Sequence, residues 1–225
     1  MTPRSLVYET AWGWMGIAAA AGGVCKIVLP RVSRHAVEKE LPGHDSRLNN
    51  EPVARGKWRG ARGRKHGGSV SKRTLQQAQQ QLAAYLIGRR RELDFAVDLS
   101  EGTAFQRRVW RVIRRIPYGR VRSYKWVASR VGGAHYARAV GHALGANPVP
   151  IIVPCHRVVA HDASLGGFTG GVQIKRRLLE LEGTLRQLGK TRRHSPLVYR
   201  FSSRLTSRLR SGLGGPSKSP KAGDD

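Results

Sequence analysis

The residues of this chain best suited to chemistry stand together in the segment Pro154-Cys155-His156-Arg157-Val158-Val159, directly after an apolar run that ends at Val153. A cysteine reacts as its thiolate, and a free thiol with a pKa of about 8.5 is mostly protonated at neutral pH unless a nearby base or cation assists it. His156 is such a base and Arg157 such a cation. The segment therefore predicts a nucleophilic thiol, although an isolated Cys-His pair is also typical of an ordinary core.

Motifs on both sides of Cys155 narrow this interpretation. They are Ala137-Arg138-Ala139-Val140-Gly141 and Asn147-Pro148-Val149-Pro150 before the cysteine, and Gly166-Gly167-Phe168-Thr169-Gly170-Gly171 and Leu178-Leu179-Glu180-Leu181-Glu182-Gly183 after it. In this order and spacing they closely resemble the O6-alkylguanine-DNA alkyltransferase family. The resemblance extends from about Leu75 to Gly183, and a weaker match covers Leu6 to Leu29.

The resemblance implies a catalytic role for five side chains. It implies that Cys155 takes an alkyl group from guanine O6 irreversibly, that His156 acts through a water molecule as general base, and that Glu182 orients the imidazole. Asn147 is implied in the same hydrogen-bond network, where it holds the turn that presents the cysteine. Tyr124 is implied to crowd the target phosphate and to donate a hydrogen bond to the base. Without the resemblance, Asn147 as a helix end cap and Glu182 as a surface carboxylate are the simpler interpretations.

A second group of residues is implied in binding DNA and the alkylated base. A base must leave the stack before it can react, and the resemblance implies that Arg138 enters the minor groove and fills the space left behind. Small side chains around Arg138 suit a groove only about 6 Å wide, although they also favour close helix packing. The residues expected at the DNA surface are Arg138, Tyr124, Ala137, Ala139, Gly141 and Arg157. Those expected around the flipped base are Phe168, Thr169, Val158 and Val159.

Two family positions carry further expectations. Phe168 stands where some relatives have a tyrosine, so one hydroxyl donor is missing and the rate and the preference for bulky adducts are expected to differ. Lys175 matches a lysine that precedes the final helix of the family. For Lys175 the resemblance favours a structural role over a chemical one.

The charge of the chain favours a polyanionic partner. Its 225 residues include 41 Lys and Arg against 14 Asp and Glu, a formal net charge of +27. Lys and Arg displace the counterions condensed on nucleic acid, which gives affinity without sequence preference. An anionic membrane is disfavoured, because no basic amphipathic stretch has a broad apolar face and no apolar run reaches the roughly 18 residues that a spanning helix needs.

The two cysteines, Cys25 and Cys155, make neither a disulfide framework nor the CxxC pair of a zinc site. We therefore expect no metal and a reducing intracellular compartment, which would be the cytoplasm of a bacterium or archaeon or the nucleus of a eukaryote. The resemblance also implies that no cofactor is needed. The apolar segment from Ala11 to Gly22 is a poor signal peptide, because Glu9 precedes it and Trp12-Gly13-Trp14 is more typical of a hairpin turn.

The N-terminal part of the chain predicts a small sheet with one helix. Residues 5–29 alternate apolar runs with glycine turns, which indicates short antiparallel strands. Leu75 to Leu86 carries apolar residues at helical spacing, which predicts an amphipathic helix packed on those strands. Between them, about 42–72 is rich in Gly and Arg and poor in core-forming residues, which indicates a disordered basic insertion.

The following part predicts three helices before the cysteine. Thr103 and Gln106 form a capping box at the start of a helix that ends at Pro117. Ser123 caps a second helix that runs through Arg130, and a third runs from 134 to 146. Helix, glycine turn and helix together indicate a helix-turn-helix.

The predicted fold class is α+β. The N-terminal α/β domain spans 1–95 and contains the basic insertion, and the resemblance implies a ribonuclease-H-like sheet and helix. The second domain spans 96–183 and is mostly helical and winged-helix-like, with the helix-turn-helix and the active-site cysteine. A basic disordered tail occupies 184–225, where ten Lys and Arg stand against two Asp.

The function implied by the resemblance is DNA repair by alkyl transfer. A monomer would bind double-stranded DNA through the minor groove, flip the alkylated guanine, and move the alkyl group from O6-alkylguanine, or from O4-alkylthymine, to its own cysteine in one turnover. A lesion-recognition protein of the alkyltransferase-like type is an alternative, which the presence of Cys155 disfavours. A helix-turn-helix regulator with a sensor thiol is another, disfavoured because the recognition helix, predicted at 134–146, is made mostly of Ala and Gly. A cysteine hydrolase lacks a separate oxyanion motif.

Overall fold

The computed structural model describes residues 3–41, 72–162 and 164–185. The expected basic insertion and tail therefore lie outside the described residues, apart from Lys72, Thr184 and Leu185. The elements in chain order are β1 (Arg4–Thr10), β2 (Gly13–Ala20), β3 (Gly23–Arg31), α1 (Arg34–Glu40), α2 (Lys72–Leu86), α3 (Ala104–Ile113), β4 (Arg122–Ser123), α4 (Tyr124–Val131), α5 (Ala137–Gly145), β5 (Val158–Val159) and α6 (Val172–Leu181). Two 3-10 turns add Ala134–Tyr136 and Cys155–Arg157.

The first three strands form an antiparallel sheet in the order β1-β2-β3. The glycine turns expected from the sequence connect them. Gly13 has a φ of 113°, and a Cβ at this position would lie 2.6 Å from the carbonyl oxygen of Arg31, so only glycine fits here. The small antiparallel sheet predicted for the N-terminal part is confirmed.

The outer edge of β3 binds the segments that lead to and from the later helices. Val24 N–H donates to the Ala96 carbonyl at 2.8 Å, and Asp98 N–H donates to the Val24 carbonyl at 2.9 Å. Farther along the strand, Ile27 N–H donates to the Pro148 carbonyl at 2.8 Å. The sheet thus fixes the start of the turn that precedes Cys155, and β3 is not left as an open edge.

The helices α3 and α4 begin where the sequence predicts, and their ends differ from the prediction by a few residues. Thr103 and Gln106 form the expected capping box of α3 in both directions, but α3 ends at Ile113 rather than at Pro117. After α3 the chain continues in turns, in which Ile116 N–H donates to the Ile113 carbonyl. Ile116 is still buried, because its side chain belongs to the main core. Ser123 caps α4 through a hydrogen bond from Trp126 N–H, as predicted.

The predicted helix-turn-helix corresponds to α4 and α5. Gly132 and Gly133 make the turn with φ values of 151° and 139°, which L-residues rarely adopt. The residues expected to begin the third helix instead form a 3-10 turn at Ala134–Tyr136, and α5 starts at Ala137. Trp110 of α3 holds α5 in place through a bond from its indole N–H to the Ala143 carbonyl at 2.8 Å.

The main hydrophobic core is shared between the sheet and the helices. One cluster contains Ile17 and Ile27 of the sheet, Leu82 of α2, Val109 of α3 and Val140 of α5. Because all described residues fall in one compact unit, a division into domains near residue 95 stays a prediction. The mixed α and β composition with a small antiparallel sheet is established.

The sequence analysis missed α1. This helix has seven residues, is capped by Ser33, and buries only Val37, so it lacks the repeated apolar spacing by which a helix is predicted. Of the helices within the described residues, none combines the length and the apolar character needed to cross a membrane.

Candidate active site

Asn147 organises the turn between α5 and Cys155. Its side-chain Oδ1 accepts from Val149 N–H at 3.1 Å, while Nδ2 donates to the Val153 carbonyl at 2.8 Å and approaches Cys155 Sγ at 3.1 Å. Pro148 cannot continue a helix, so α5 has ended before this point. One amide therefore ties both ends of the turn together and also touches the thiol.

Ile151, at the tip of this turn, has an unusual backbone conformation. Its φ is 77°, and within the described residues no other non-glycine residue has a positive φ. This conformation costs a β-branched residue about 1–3 kcal/mol and persists only where the surroundings impose it. The side chain of Ile151 is 2 % exposed and belongs to the main core, so packing holds the turn in its strained form.

Cys155 lies at the floor of a surface cavity and is only 6 % exposed. Burial raises the pKa of its thiol, while the hydrogen bond from Asn147 and the charge of Lys175 oppose that rise. Burial is the largest effect, so the neighbours do not make a free thiolate at rest. The thiol needs a base at the moment of reaction.

His156 is completely buried and lies beside Glu182, with 2.6 Å between His156 Nε2 and Glu182 Oε1. Burial lowers the pKa of His156 more than Glu182 raises it, so the imidazole is neutral. Because the carboxylate can only accept, Nε2 must carry the imidazole proton. The other nitrogen, Nδ1, is then a proton acceptor, and it is buried without a hydrogen-bond partner among the described residues.

Glu182 follows the end of α6 and receives four donor groups. Besides His156, they are Arg157 Nε at 3.1 and 2.9 Å from the two oxygens, Gly119 N–H at 3.1 Å from Oε2, and the Tyr85 hydroxyl on Oε1. Burial alone would raise the pKa of Glu182, but the hydrogen bonds from His156 and Arg157 and the positive charge of Arg157 outweigh it and lower the pKa to about 2. The carboxylate is ionised throughout the physiological range.

The position of Arg157 corrects an expectation from the sequence. Arg157 is 7 % exposed, holds both oxygens of Glu182, and donates through Nη1 to the Ile116 carbonyl at 2.7 Å. A guanidinium committed to a buried carboxylate cannot also reach DNA phosphates, so its placement among the DNA-contacting residues was wrong. Its charge instead compensates Glu182 inside the protein.

Lys175 of α6 is fully buried, and its Nζ donates to the Val158 carbonyl at 2.7 Å. Burial lowers the pKa of Lys175 to about 8, and the proximity of Cys155 works in the opposite direction. The bond to the Val158 carbonyl agrees with the structural role expected from the sequence. The same ammonium group also favours a negative charge on the thiol.

A cavity of about 620 Å³ opens above the thiol. Six residues expected from the sequence line it together with Cys155, namely Tyr124, Ala137, Arg138, Gly141, Phe168 and Thr169. The hydroxyl of Thr169 donates to the Gly145 carbonyl at 2.9 Å. Burial, with Cys155 nearby, raises the pKa of Tyr124, so its phenol stays protonated and can donate.

Besides Arg157, three residues expected at the DNA surface or around the flipped base do not line the cavity, and four residues that do line it were missed. Val158 and Val159 are buried and form β5, which pairs with β4 in parallel. Ala139 does not line the cavity either. His142, Leu144, Gly145 and Gly167 line the cavity without having been predicted. For His142 and Gly145 the signal was their spacing from Arg138 and Gly141 along α5.

Within 3–41, 72–162 and 164–185, no three His, Cys, Asp or Glu side chains converge as a metal site would require. The cluster around Glu182 contains one histidine, one arginine and one tyrosine. His156 Nε2, Arg157 and Tyr85 all donate to the carboxylate, which leaves His156 Nδ1 as the cluster's free proton acceptor among the described residues.

The site and fold together define a helix-turn-helix protein in which a buried cysteine, linked to an asparagine and flanked by a His–Glu pair, faces a surface cavity. Residues 104–184 match the family model described as the DNA-binding domain of 6-O-methylguanine DNA methyltransferase. This match, together with the 45 % identical relative described next, of which the chain covers 73 %, shows that the chain belongs to the family of methylated-DNA--protein-cysteine methyltransferases.

Relatives and solved structures support this assignment. A methylated-DNA--protein-cysteine methyltransferase of Mycolicibacterium paratuberculosis is 45 % identical over 130 residues, which cover 58 % of this chain and 73 % of that protein. One from Mycobacterium bovis is 52 % identical over 102 residues, covering 45 % of this chain but only 61 % of that relative. The crystal structure of Mycobacterium tuberculosis OGT in complex with DNA matches with a TM-score of 0.58 and 33 % identity, over 81 % of this chain and 94 % of that one.

Proposed function

We propose that this chain repairs DNA by moving the alkyl group of O6-alkylguanine, and of O4-alkylthymine, onto Cys155 in a single irreversible turnover. The observation that carries the proposal is the position of the thiol. It lies at the floor of a cavity whose rim is the helix α5, and its neighbour His156 has a proton-accepting nitrogen without a protein partner. The family of the chain supports the same reaction.

The transfer needs no cofactor, because the atoms balance within the protein and the base. A water molecule passes the proton of Cys155 Sγ to His156 Nδ1, which is able to accept it because Nε2 is held by Glu182. The thiolate then attacks the alkyl carbon, a C–S bond forms, and the bond between that carbon and O6 breaks. The electron pair of that bond goes to the base, which takes up, by way of water, the proton that Cys155 gave to His156 and remains in the DNA as ordinary guanine.

Asn147 and Lys175 assist by stabilising the negative charge on sulfur during this step. Asn147 Nδ2 points at Sγ from 3.1 Å, and Lys175 lies close enough to lower the pKa of the thiol against the effect of burial. Both groups are fixed in advance by their bonds to backbone carbonyls, so the protein does not have to reorganise when the charge develops.

Recognition of the lesion would use the minor groove of double-stranded DNA with the damaged base flipped into the cavity. The cavity volume of about 620 Å³ lies within the range of small-ligand sites. Arg138 is exposed on the rim, where its side chain would replace the flipped base in the stack. Gly141 and Ala137 keep the same face of α5 narrow.

The walls of the cavity suit a purine. Phe168 would bound the flipped base, Thr169 would lie near O6, and the Tyr124 hydroxyl would donate to a ring nitrogen. Phe168 supplies a face without a hydroxyl, so the cavity has one donor fewer than relatives with tyrosine here. We expect the choice between small and bulky alkyl groups to depend on this position.

The wider assignment follows from the same argument. A ribonuclease-H-like N-terminal domain and a winged-helix-like second domain are the finer fold classes we propose for the sheet and for the helices α3 to α6. A monomer is the proposed state, because one chain supplies all the described residues that line the cavity. Two free cysteines and a DNA substrate support an intracellular compartment.

The test is the intact mass of the protein after incubation with a duplex that carries O6-methylguanine. One added methyl group that maps to Cys155 is expected, with no addition in Cys155→Ala. Cys25→Ser is the matched control, because Cys25 is half-buried in β3, away from the cavity, and this variant should still be methylated. An unchanged mass together with selective binding of the damaged duplex would overturn the transfer and point to lesion recognition alone.

A further inference from the structure

Tyr85 reaches the active site from a distant part of the chain. It lies near the end of α2, is 1 % exposed, and its hydroxyl donates to Glu182 Oε1, 97 residues farther on. The oxygen that accepts this bond is the one that lies 2.6 Å from His156 Nε2. A side chain packed beneath the sheet therefore contacts the atom that orients the candidate base.

We propose that Tyr85 is a positioning residue for alkyl transfer, whose hydroxyl holds Glu182 Oε1 toward His156 and keeps the imidazole neutral so that Nδ1 can accept the thiol proton. The inference rests on the proposed function of Cys155. Tyr85 is absent from the lining of the cavity above the thiol, so it acts only through Glu182 and His156.

The direction of the effect follows from the chemistry of a carboxylate. Burial, reinforced by the nearby Glu182, raises the pKa of Tyr85, so its hydroxyl remains a donor at every working pH. Each donor lowers the basicity of the carboxylate that accepts it. Without the Tyr85 hydroxyl, Glu182 would hold the Nε2 proton more strongly, favour the imidazolium form, and raise the pKa of His156.

The other charged and titratable groups around His156 stay in place when this hydroxyl is removed. They are Glu182 after α6, Lys175 within α6, and Arg157 and Cys155 of the 3-10 turn. Lys175 and Arg157 both lower the pKa of His156, and Glu182 raises it. The balance between these opposing charges is what the Tyr85 hydroxyl adjusts.

Tyr118 offers a matched control. Its ring contacts that of Tyr85 edge-on at 5.9 Å, but its hydroxyl donates to the Leu181 carbonyl at 3.0 Å rather than to the carboxylate. Tyr85→Phe and Tyr118→Phe thus each remove one hydroxyl from the same cluster, and only the first removes a donor from Glu182.

The experiment measures the rate of methyl transfer from an O6-methylguanine duplex, from mildly acidic to mildly alkaline pH, in a Cys25→Ser background. We expect Tyr85→Phe to slow transfer roughly tenfold at neutral pH, as the loss of a hydrogen bond to a charged group implies, and to move the acidic limb of the profile to higher pH. Tyr118→Phe should leave both unchanged. A profile for Tyr85→Phe that coincides with that of Tyr118→Phe would overturn the proposal.

A double-mutant cycle with Glu182→Gln separates positioning from general stability. If Tyr85 acts through the carboxylate, Tyr85→Phe should slow transfer no further in the Glu182→Gln background. An equal further loss in that background contradicts the inference. Should Tyr85→Phe fail to fold, 3-fluorotyrosine at position 85 replaces it; this stronger donor should move the acidic limb to lower pH, and an unmoved limb would count against the proposal.

A readout without DNA distinguishes failure of this inference from failure of the proposed function. The rate at which iodoacetamide modifies Cys155 depends on its thiolate, whatever the natural substrate is. If the wild-type chain does not take up methyl from DNA but Tyr85→Phe still shifts the pH dependence of iodoacetamide modification, the proposed function is wrong and the role of Tyr85 stands. If methyl transfer occurs and neither profile shifts, only the role of Tyr85 is wrong.

Discussion

The two sides of Cys155 are built on opposite principles. Behind the thiol, Glu182 is buried and saturated by donors from α2, from the turn after α3 and from the 3-10 turn that follows the cysteine. In front of it, Arg138 and Thr169 lie at the surface around an open cavity. The proton-transfer groups are thus fixed by the fold, while the recognition groups are left accessible to a partner.

This difference predicts that substitutions behind the thiol damage stability and reaction together, whereas substitutions in front of it damage the reaction alone. The expected effects decrease from the buried carboxylate to the exposed rim.

Glu182→Ala should have the largest effect, because it leaves the buried guanidinium of Arg157 without its counter-charge. Breaking one partner of a buried pair typically costs about 3–5 kcal/mol. The measurement is the free energy of unfolding from urea titration. Glu180→Ala is the control, since Glu180 forms an exposed pair with Arg176 on the same helix, and such pairs contribute about 0–1 kcal/mol. Equal losses for the two variants would contradict the comparison.

Lowering the pH should have the second-largest effect, because it removes the stability contributed by the buried groups behind the thiol. The folded-state pKa of Glu182 is about 2, below its ordinary value of 4.5, so its stabilising contribution is present above about pH 4.5 and is lost as the pH falls toward 2. The shift corresponds to something on the order of 3 kcal/mol. Burial also lowers the pKa of His156, which adds a loss in the same direction below about pH 6.5. Urea midpoints measured along this range should fall less in Glu182→Gln than in the wild type.

Asn147→Ala should have an intermediate effect. It leaves Val149 N–H without its partner, which costs about 1–3 kcal/mol when the group is buried. It also removes the donor to Sγ and one of the two donors to the Val153 carbonyl, which keeps its bond from Cys155 N–H. Asn147→Asp keeps the acceptor for Val149 but loses both donors. The melting temperatures of the two variants show how much of the lost stability comes from the acceptor and how much from the donors. If Asn147→Asp lowers the melting temperature as much as Asn147→Ala does, the whole loss comes from the donors.

Arg138→Ala should have the smallest effect on the fold, with a change within about 0.5 kcal/mol, while transfer from a duplex slows about tenfold or more, which corresponds to about 1.4 kcal/mol. Transfer from the free base O6-benzylguanine should not change. Arg111→Ala removes the same charge from the exposed face of α3 and controls for general attraction to DNA. If both variants slow duplex transfer equally, Arg138 acts only as a charge.

The sequence predicted the parts of the site that depend on local signals or on family motifs. The capping box at Thr103, the cap at Ser123 and the glycine turn before α5 are written in a few neighbouring residues. The family motifs indicated Cys155 and Asn147, which the structure brings within 3.1 Å of each other.

The parts it could not predict depend on distant contacts. Tyr85 and Gly119 meet Glu182 across 97 and 63 residues, and nothing in their own surroundings indicates a polar partner. Arg157 was misplaced because an arginine is usually exposed, and only the tertiary structure shows the carboxylate that allows its burial. The basic insertion and the basic tail lie outside the described residues, so what the sequence indicates about them stays a prediction.

Because the backbone of Ile151 is strained, the turn that presents Cys155 can form only when the whole protein folds. A turn with a φ of 77° at a β-branched residue is not stable by itself. Only the completed core supplies the contacts that compensate for the strain. Opening of this turn should therefore coincide with global unfolding rather than with local fluctuation. Amide hydrogens of Val153 and Cys155, both bonded within the turn, should exchange as slowly as those of the central strand β2. Every folded molecule would then hold Cys155 in the position from which it reacts.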